Sequence, residues 1–304
     1  MELLDGRFEL KETAKLEGHT DRVWSLAWNP ATGVGGIPLV FASCSGDKTV
    51  RIWEESPSSG SWNCKAVLEE THTRTVRSCA WSPNGKLLAT ASFDATTAIW
   101  ENIGGDYECV STLEGHENEI KSVAWNASGS LLATCSRDRT VWIWEVLPGN
   151  EYECVSVLQG HTQDVKMVQW HPTMDLLFSC SYDNTVKVWA GDDDNDDWHC
   201  VQTLDESNKR HTCTLSGYHD RTIFSVHWSR NGIIASGAAD DAIRLFVENQ
   251  EKGIDRSSFQ LIFKKEKAHN MDVNSVQWSP GEKGLLASAS DDGTIRIWEL
   301  VPIS

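Results

Sequence analysis

The sequence has little positive charge, no long apolar run and no Cys-x-x-Cys pair. Its 304 residues include 27 Lys and Arg against 44 Asp and Glu, a formal net charge of −17. Nucleic acid and anionic membrane surfaces would repel such a chain, so neither is expected as a partner. No stretch approaches the length of a transmembrane helix, and the first residues lack the pattern of a signal peptide. We therefore expect a soluble protein of the cytoplasm, with the nucleus as a second location.

Tryptophan, by contrast, is abundant, and it recurs at a fixed distance from histidine. Six histidines are each followed nine residues later by a tryptophan: His19/Trp28, His72/Trp81, His116/Trp125, His161/Trp170, His219/Trp228 and His269/Trp278. Each pair is followed by a turn aspartate and, six residues later, an aromatic: Asp47/Trp53, Asp94/Trp100, Asp138/Trp144, Asp183/Trp189, Asp240/Phe246 and Asp292/Trp298. A spacing kept through six copies while the loops vary indicates one repeated supersecondary unit.

Each copy reads as four short strands separated by turn residues. In the third copy the strands are expected at 120–125, 131–136, 140–144 and 153–158. This is the pattern of the WD40 repeat, which predicts an all-β fold, a WD40 β-propeller in which each repeat forms one blade. Repeats starting near residues 19, 72, 116, 161, 219 and 269 leave no domain boundary, so residues 1–304 are expected to form a single domain.

The repeated polar residues are expected to form a buried hydrogen-bonded tetrad in each blade, made of a His, a second-strand Ser or Thr, the turn Asp and the third-strand Trp. The complete sets are His19/Ser43/Asp47/Trp53, His72/Thr90/Asp94/Trp100, His116/Thr134/Asp138/Trp144, His161/Ser179/Asp183/Trp189 and His269/Ser288/Asp292/Trp298. The fifth repeat has His219, Ser236 and Asp240, but Phe246 has no N–H to donate. An enzyme needs one site and not six, so we predict a structural role for these groups, no catalytic residue and no enzymatic activity.

The nine cysteines also follow the repeats. They fall on second strands (Cys44, Cys135, Cys180), on or near outer strands (Cys64, Cys109, Cys154, Cys200, Cys213) and inside a first strand (Cys79). Ligands of a metal or cluster must converge on one centre, whereas equivalent positions in different blades are separated. We expect reduced cysteines that serve as packing residues, no metal site and no bound cofactor.

Two features bear on how the ring closes. The last repeat lacks an outer strand, and residues 8–16 have the position of one, so we expect them to complete the last blade. Between the repeat histidines His161 and His219, residues 198–204 and 211–215 both resemble outer strands. Either most of a blade is deleted after Asp205, or the interval is an ordinary long loop. Six repeats could then form an open ring or a strained one.

One rim of the predicted propeller gathers cations and aromatics. The positions that reach it are the residue before each turn Asp and two near the start of each first strand. We define the rim patch as the cations and aromatics at these positions in the first four blades: Arg22, Trp24, Arg77, Phe93, Lys121, Arg137, Lys166 and Tyr182. Such a patch could clamp a carboxylate beside an aromatic ring. The alternatives are a solvated rim and, for Arg137, a salt bridge to Glu119 or Asp164.

Several segments resemble one WD40 family in particular. Residues 115–120, 133–145, 152–155, 163–166 and 180–183 are similar to the WD40 subunit of the cytosolic iron–sulfur protein assembly (CIA) targeting complex. That family has seven blades, which favours a form lacking about one blade after Asp205. The resemblance implies a non-catalytic adaptor that helps to dock apoproteins for [4Fe–4S] insertion. The partners would be client apoproteins, a small acidic assembly subunit and a large helical-repeat subunit, and Arg137 matches a functionally sensitive arginine.

Other functional classes remain open at this point. A substrate receptor of a ubiquitin ligase would be expected to show Trp-Asp-x-Arg after the third strand, whereas Trp53, Trp100, Trp144 and Trp298 are each followed by Glu. A generic WD40 interaction scaffold, chromatin-associated or in signalling, is the main alternative to the assembly adaptor.

Overall fold

The described part of the chain is built from strands alone. The computed structural model describes residues 8–192, 197–205, 214–249, 258–281 and 283–302, and 24 strands within them form six four-stranded antiparallel sheets. No helix in these segments is long and apolar enough to cross a membrane. The predicted all-β propeller fold is thus confirmed, and each sheet is one blade.

The first three blades follow the chain without interruption. Blade one contains β2 (Val23–Trp28), β3 (Val40–Ser45), β4 (Val50–Glu55) and β5 (Trp62–Leu68). Blade two contains β6 (Val76–Trp81), β7 (Leu87–Ser92), β8 (Thr97–Ile103) and β9 (Asp106–Leu113). Blade three contains β10 (Ile120–Trp125), β11 (Leu131–Ser136), β12 (Val141–Leu147) and β13 (Glu151–Leu158).

The last three blades include the strand from the start of the chain. Blade four contains β14 (Val165–Trp170), β15 (Leu176–Ser181), β16 (Val186–Gly191) and β17 (Trp198–Leu204). Blade five contains β18 (Ile223–Trp228), β19 (Ile233–Ala238), β20 (Ile243–Asn249) and β21 (Ser258–Lys265). Blade six contains β22 (Val273–Trp278), β23 (Leu286–Ser290), β24 (Ile295–Pro302) and β1 (Phe8–Leu16).

The strand β1 completes blade six, as the sequence predicted. It pairs antiparallel with β24 along its whole length, from Phe8 opposite Pro302 to Leu16 opposite Ile295. Leu10 of β1 is fully buried against blades five and six. The first strand of the chain therefore holds the last blade in place.

The apolar core consists of five clusters, each between two neighbouring blades. In every cluster the earlier blade contributes second-strand alanines beside larger aliphatic residues, and the later blade contributes the tryptophan that ends its first strand. Between blades one and two, for example, Ala42 and Cys44 lie against Val76 and Trp81. The alanines leave room for the tryptophan ring of the next blade, which packs into the interface.

A hydrogen bond accompanies this packing at four of the interfaces. The tryptophan that ends the first strand donates its indole N–H to a backbone carbonyl of the preceding blade, at distances of 3.0–3.1 Å: Trp28 to Gln277, Trp81 to Ala27, Trp125 to Ala80 and Trp170 to Ala124. In blade six the Nε1 atom of Trp278 is buried without a partner. The backbone N–H of Trp278 donates to the Nδ1 atom of His227 in blade five, at 3.1 Å.

The ring is open between blades four and five. The inner strands of all other neighbouring blades pack on each other, but β14 and β18 share no more than isolated contacts, and no apolar cluster joins their blades among the described residues. Trp228 of β18 is 58% exposed as a result. Of the outer strand predicted at 211–215, Thr214 and Leu215 belong to no strand, and residues 211–213 lie outside the described segments.

Within each blade, the tetrad residues are connected by short hydrogen bonds. In blade three the Nδ1 atom of His116 lies 2.7 Å from the Asp138 carboxylate, and its Nε2 atom lies 3.0 Å from the Thr134 hydroxyl. That hydroxyl accepts the indole N–H of Trp144 at 3.0 Å. Because an ionised carboxylate only accepts, Nδ1 carries the imidazole proton and Nε2 accepts from the hydroxyl. In blade five the connection ends at Ser236, because Phe246 cannot donate.

The other four tetrads repeat this arrangement. The second-strand hydroxyl lies 2.7–2.8 Å from the Nε2 atom of the histidine in each of them: Ser43 and His19, Thr90 and His72, Ser179 and His161, Ser288 and His269. The same hydroxyl accepts the indole N–H of the third-strand tryptophan at 2.8–3.0 Å: Ser43 from Trp53, Thr90 from Trp100, Ser179 from Trp189, Ser288 from Trp298. Each hydroxyl therefore donates one hydrogen bond and accepts another inside the blade.

A threonine two residues after the turn aspartate also belongs to these networks, and the sequence analysis missed it. Thr140 donates its hydroxyl to Asp138 at 2.6 Å. Equivalent bonds are made by Thr49, Thr96, Thr185 and Thr294. The sequence carried the signal, because five of the six repeats contain Asp-x-Thr. The exception is the fifth repeat, which has Ala242 in place of the threonine.

The hydrogen bonds keep the turn carboxylates ionised. Burial by itself would raise the pKa of Asp138, but the hydrogen bonds from His116 and Thr140 outweigh it and lower the pKa to about 2. The same balance lowers the pKa of Asp47, Asp94, Asp183 and Asp292. These groups therefore couple the stability of the blades to pH.

The prediction that the cysteines are packing residues is wrong for four of them. Cys64, Cys109, Cys154 and Cys200 are exposed on the outer strands, where the sheet edge faces solvent. Each Sγ atom lies 3.4–3.7 Å from the carbonyl oxygen two residues further on. Cys44, Cys79 and Cys135 are buried between blades as predicted, Cys180 is half-buried, and Cys213 lies outside the described residues.

Replacing a tetrad histidine is expected to destabilise the protein. His116→Ala leaves Asp138 and the Thr134–Trp144 pair without their common partner, which should lower the free energy of unfolding by about 2–4 kcal/mol. Urea denaturation followed by tryptophan fluorescence measures the change. His199→Ala, on the exposed side of β17, is the control and should have little effect. Equal losses in the two variants would contradict a structural role for the tetrad.

Acid should unfold the protein through the turn aspartates. The pKa of Asp138 is about 2 in the folded protein and 3.8 ordinarily, so its contribution is complete above pH 3.8 and is lost as the pH falls towards 2. That contribution is about 2 kcal/mol. We expect Asp138→Asn to be less stable than wild type at pH 7 and to lose less stability between pH 5 and pH 2. Parallel pH profiles of the unfolding free energy would contradict this.

Candidate functional site

The rim patch is positioned by one backbone hydrogen bond in each blade. The residue before the turn aspartate donates its N–H to a carbonyl just before the first strand, as Arg137 does to Glu119 at 2.9 Å and Tyr182 to Asp164 at 3.0 Å. The same bond joins Phe93 to Thr75 at 2.9 Å. Side chains from the turn and from the start of the first strand are therefore held side by side at the rim.

In blades one and two, Trp24 lies between two arginines. The guanidinium carbon of Arg77 is 4.8 Å from the centroid of the Trp24 ring, and that of Arg22 is 5.9 Å away. The Nε atom of Arg22 is also 3.3 Å from the Asp291 carboxylate of blade six. Arg77 forms no hydrogen bond or ion pair with a described residue, and burial lowers its pKa. The face of the Trp24 ring and the Asp291 carboxylate both attract its charge.

In blades two and three, Glu119 is surrounded by three cations. Its carboxylate is 2.8 Å from Arg74, 2.5 Å from Lys121 and 3.8 Å from Arg137. Burial would raise the pKa of Glu119, but the hydrogen bonds from Lys121 and Arg74 lower it overall. The Lys121 ammonium also lies 4.0 Å from the centroid of the Phe93 ring. Three positive charges against one carboxylate leave this part of the rim positive.

Arg137 is the cation of this group that is bound least tightly to Glu119. Its side chain is 55% exposed, as is that of Arg74, whereas that of Lys121 is 9% exposed. The salt bridge to Glu119 considered as an alternative is present, but at 3.8 Å it is long, and Arg74 and Lys121 neutralise the same carboxylate at shorter distances. The Arg137 guanidinium can therefore exchange this contact for another carboxylate at little cost.

In blade four, Lys166 and Tyr182 form a separate pair. The Lys166 ammonium donates to the Tyr182 hydroxyl at 2.9 Å and lies 4.1 Å from the centroid of its ring. Tyr182 is 58% exposed. The pair stands at the edge of the gap, where no following blade supports it.

The structure thus brings all eight residues of the rim patch to one end of blades one to four, in three local groups. Arg74, which was not among the predicted rim residues, binds Glu119 and also donates to the Phe93 carbonyl at 2.6 Å. Its position two residues after a repeat histidine was the available signal. Among the described residues, no three His, Cys, Asp or Glu side chains converge so as to hold a metal ion.

The hydroxyl residues of the tetrads do not belong to this surface. Ser43, Thr90, Thr134, Ser179 and Ser288 are at most 1% exposed, and the tetrad tryptophan of blade four, Trp189, is 2% exposed. Side chains so deeply buried cannot touch a partner or a substrate. They act on the rim only indirectly, because they hold the turn that carries its residues.

Comparison with known proteins adds to these observations. The family described as "WD domain, G-beta repeat" matches residues 10–54, 62–101, 107–145, 152–190 and 260–299. The chain is 63% identical to Protein CIA1 of Arabidopsis thaliana over 99% of both chains. It is 46% identical to the probable cytosolic iron-sulfur protein assembly protein CIAO1 of Bos taurus, over 95% of this chain and 96% of that protein. The corresponding protein of Culex quinquefasciatus is 47% identical over 93% and 96%.

The lengths of these alignments agree with the open ring. The alignment with the Arabidopsis protein covers 348 positions, 44 more than the 304 residues of this chain. One WD40 repeat has about 40–45 residues. The chain belongs to the WD40 family and, within it, to the family of Protein CIA1 and the CIAO1 proteins, in a form that is shorter by about one blade.

Proposed function

We propose that this protein is a non-catalytic adaptor in cytosolic iron–sulfur protein assembly, which helps to dock apoproteins for [4Fe–4S] insertion. The observation that carries the proposal is similarity along the whole chain to proteins named for this process. The proposed location is the cytosol, with the nucleus as a second site. The proposed partners are the other subunits of the targeting complex and client apoproteins.

The rim patch is the proposed binding surface. It is a group of cations on a protein of net charge −17, which makes it selective for acidic segments of a partner. Exposed Arg137 and Tyr182 would make the first contacts. Arg77 and Lys121, which are less accessible, would hold a carboxylate once water is excluded. Such a surface binds and orients a partner without needing a catalytic group.

The adaptor is proposed to act as one structural unit over residues 1–304. The sixth blade combines β1 with β22, β23 and β24, so the two ends of the chain share one sheet. Within the described segments, five of the six pairs of neighbouring blades share an apolar cluster. The rim patch spans four blades and would therefore depend on the integrity of the whole unit.

The charge of Arg137 provides the test of this proposal. Arg137→Glu places a second carboxylate beside Glu119 and should weaken binding of the acidic and helical-repeat assembly subunits at least about tenfold. The stability should change by less than about 0.5 kcal/mol, because the side chain is half exposed. Co-purification and titration calorimetry measure binding, and thermal unfolding measures stability.

The control is Lys86→Glu, which makes the same charge change at an exposed turn at the opposite end of blade two. It should bind as wild type does. Equal binding by all three proteins would exclude the rim patch as the binding surface. Failure of folded wild-type protein to bind any assembly subunit would favour a generic WD40 scaffold. Unfolding of Arg137→Glu would show that the residue is structural.

A further inference from the structure

The gap leaves a core-type face of blade five uncovered. Ile223, Val226 and Trp228 of β18 are 48%, 60% and 58% exposed, while the equivalent three residues of blade three are at most 8% exposed. A pocket of about 240 Å³ lies on this face, between β18 and residues 215–219. The ring of Trp228 keeps its edge-to-face contact with Phe259 of its own blade at 5.6 Å. Blade five is therefore intact, and no apolar cluster of the described residues covers this face.

The face of blade four across the gap differs from its counterparts in the other blades. The third residue of the first strand is a serine in five blades: Ser25, Ser78, Ser122, Ser225 and Ser275. The residue before the tetrad hydroxyl is an alanine in the same blades: Ala42, Ala89, Ala133, Ala235 and Ala287. Blade four has Met167 and Phe178 at these two positions, and Met167 is 50% exposed.

This difference explains why the gap does not close by itself. At every covered interface the first strand, with its terminal tryptophan, lies against second-strand alanines of the preceding blade. Met167 and Phe178 are larger than the serine and alanine at these positions in the other blades, so direct contact with Ile223 and Val226 would overpack the interface. An element between the two blades is needed. The 44 additional positions of the Arabidopsis alignment correspond to one blade.

We propose that the gap binds a blade-sized β-element of another polypeptide, which completes the ring in trans. One face of this element carries small residues that cover β18, and one of its carbonyls accepts the indole N–H of Trp228. Its other face is apolar and packs on Met167 and Phe178. An indole on that face donates to the carbonyl of Gln169. In other blades the acceptor is the residue directly before the first-strand tryptophan, and Gln169 holds this position before Trp170. This inference is independent of the proposed function.

A defined polypeptide tests the proposal directly. The probe is the stretch of about one blade that the Arabidopsis relative has and this chain lacks, labelled for fluorescence anisotropy. We expect saturable binding to wild type and at least about tenfold weaker binding to Val226→Glu, because the complex would bury an unpaired carboxylate. Ile223→Glu repeats the test on the same face. Val157→Glu, on the exposed outer strand β13, is the matched control and should bind as wild type does.

A chain with the same segment inserted after Asp205 completes the design. It should unfold at a higher temperature than wild type and should not bind the probe, because its gap is filled in cis. Absence of binding to wild type would overturn the proposal, and so would undiminished binding to Val226→Glu or to the inserted chain. A wild-type dimer in sedimentation equilibrium that Val226→Glu dissociates would also overturn it, since a second copy would then cover the face.

Discussion

In five of the six blades, the first-strand tryptophan and its apolar neighbours pack against the blade before, whose second strand offers alanines. The tryptophan that ends the first strand occupies this interface and, in four of the blades, donates its indole N–H across it. The constraint gives the ring a direction, because each blade covers the next. It also explains why loss of one blade is not absorbed elsewhere. Five interfaces keep their packing, and the whole deficit appears as one gap beside Met167 and Trp228.

The tetrads serve a different purpose from the interfaces, because they stabilise each blade from within. They connect the loop before the first strand to the second and third strands, and they fix the turn that carries the rim residues. Blade five shows how much of this can be lost. It lacks the indole donor and the threonine, yet Tyr218 packs edge-to-face on Phe246 at 5.1 Å, and the His219–Ser236–Asp240 part remains. Packing thus replaces one hydrogen bond.

The rim patch depends on both levels of organisation. The turns hold Phe93, Arg137 and Tyr182 in place, and the packing of adjacent blades brings Arg74 and Lys121 onto one carboxylate, that of Glu119. A partner that covers the gap would also extend the surface next to Tyr182, which lies at its edge. Binding at the rim and completion of the ring therefore concern neighbouring parts of the same molecule.

The sequence by itself determined the repeat, the blade boundaries and the tetrad residues, because these depend on spacings within about 40 residues. It also indicated the closing strand, because the last repeat lacks an outer strand and residues 8–16 have the position of one. The sequence could also have identified Thr140 and Arg74, whose positions follow the repeat. Only the tertiary structure decided that the ring is open and that Glu119 collects three cations. It also showed that Cys64 and its equivalents face solvent. These features depend on how separate blades pack. Met167, for example, stands where the other five blades have a serine, and the effect of this difference can be judged only once the residues across the interface are known.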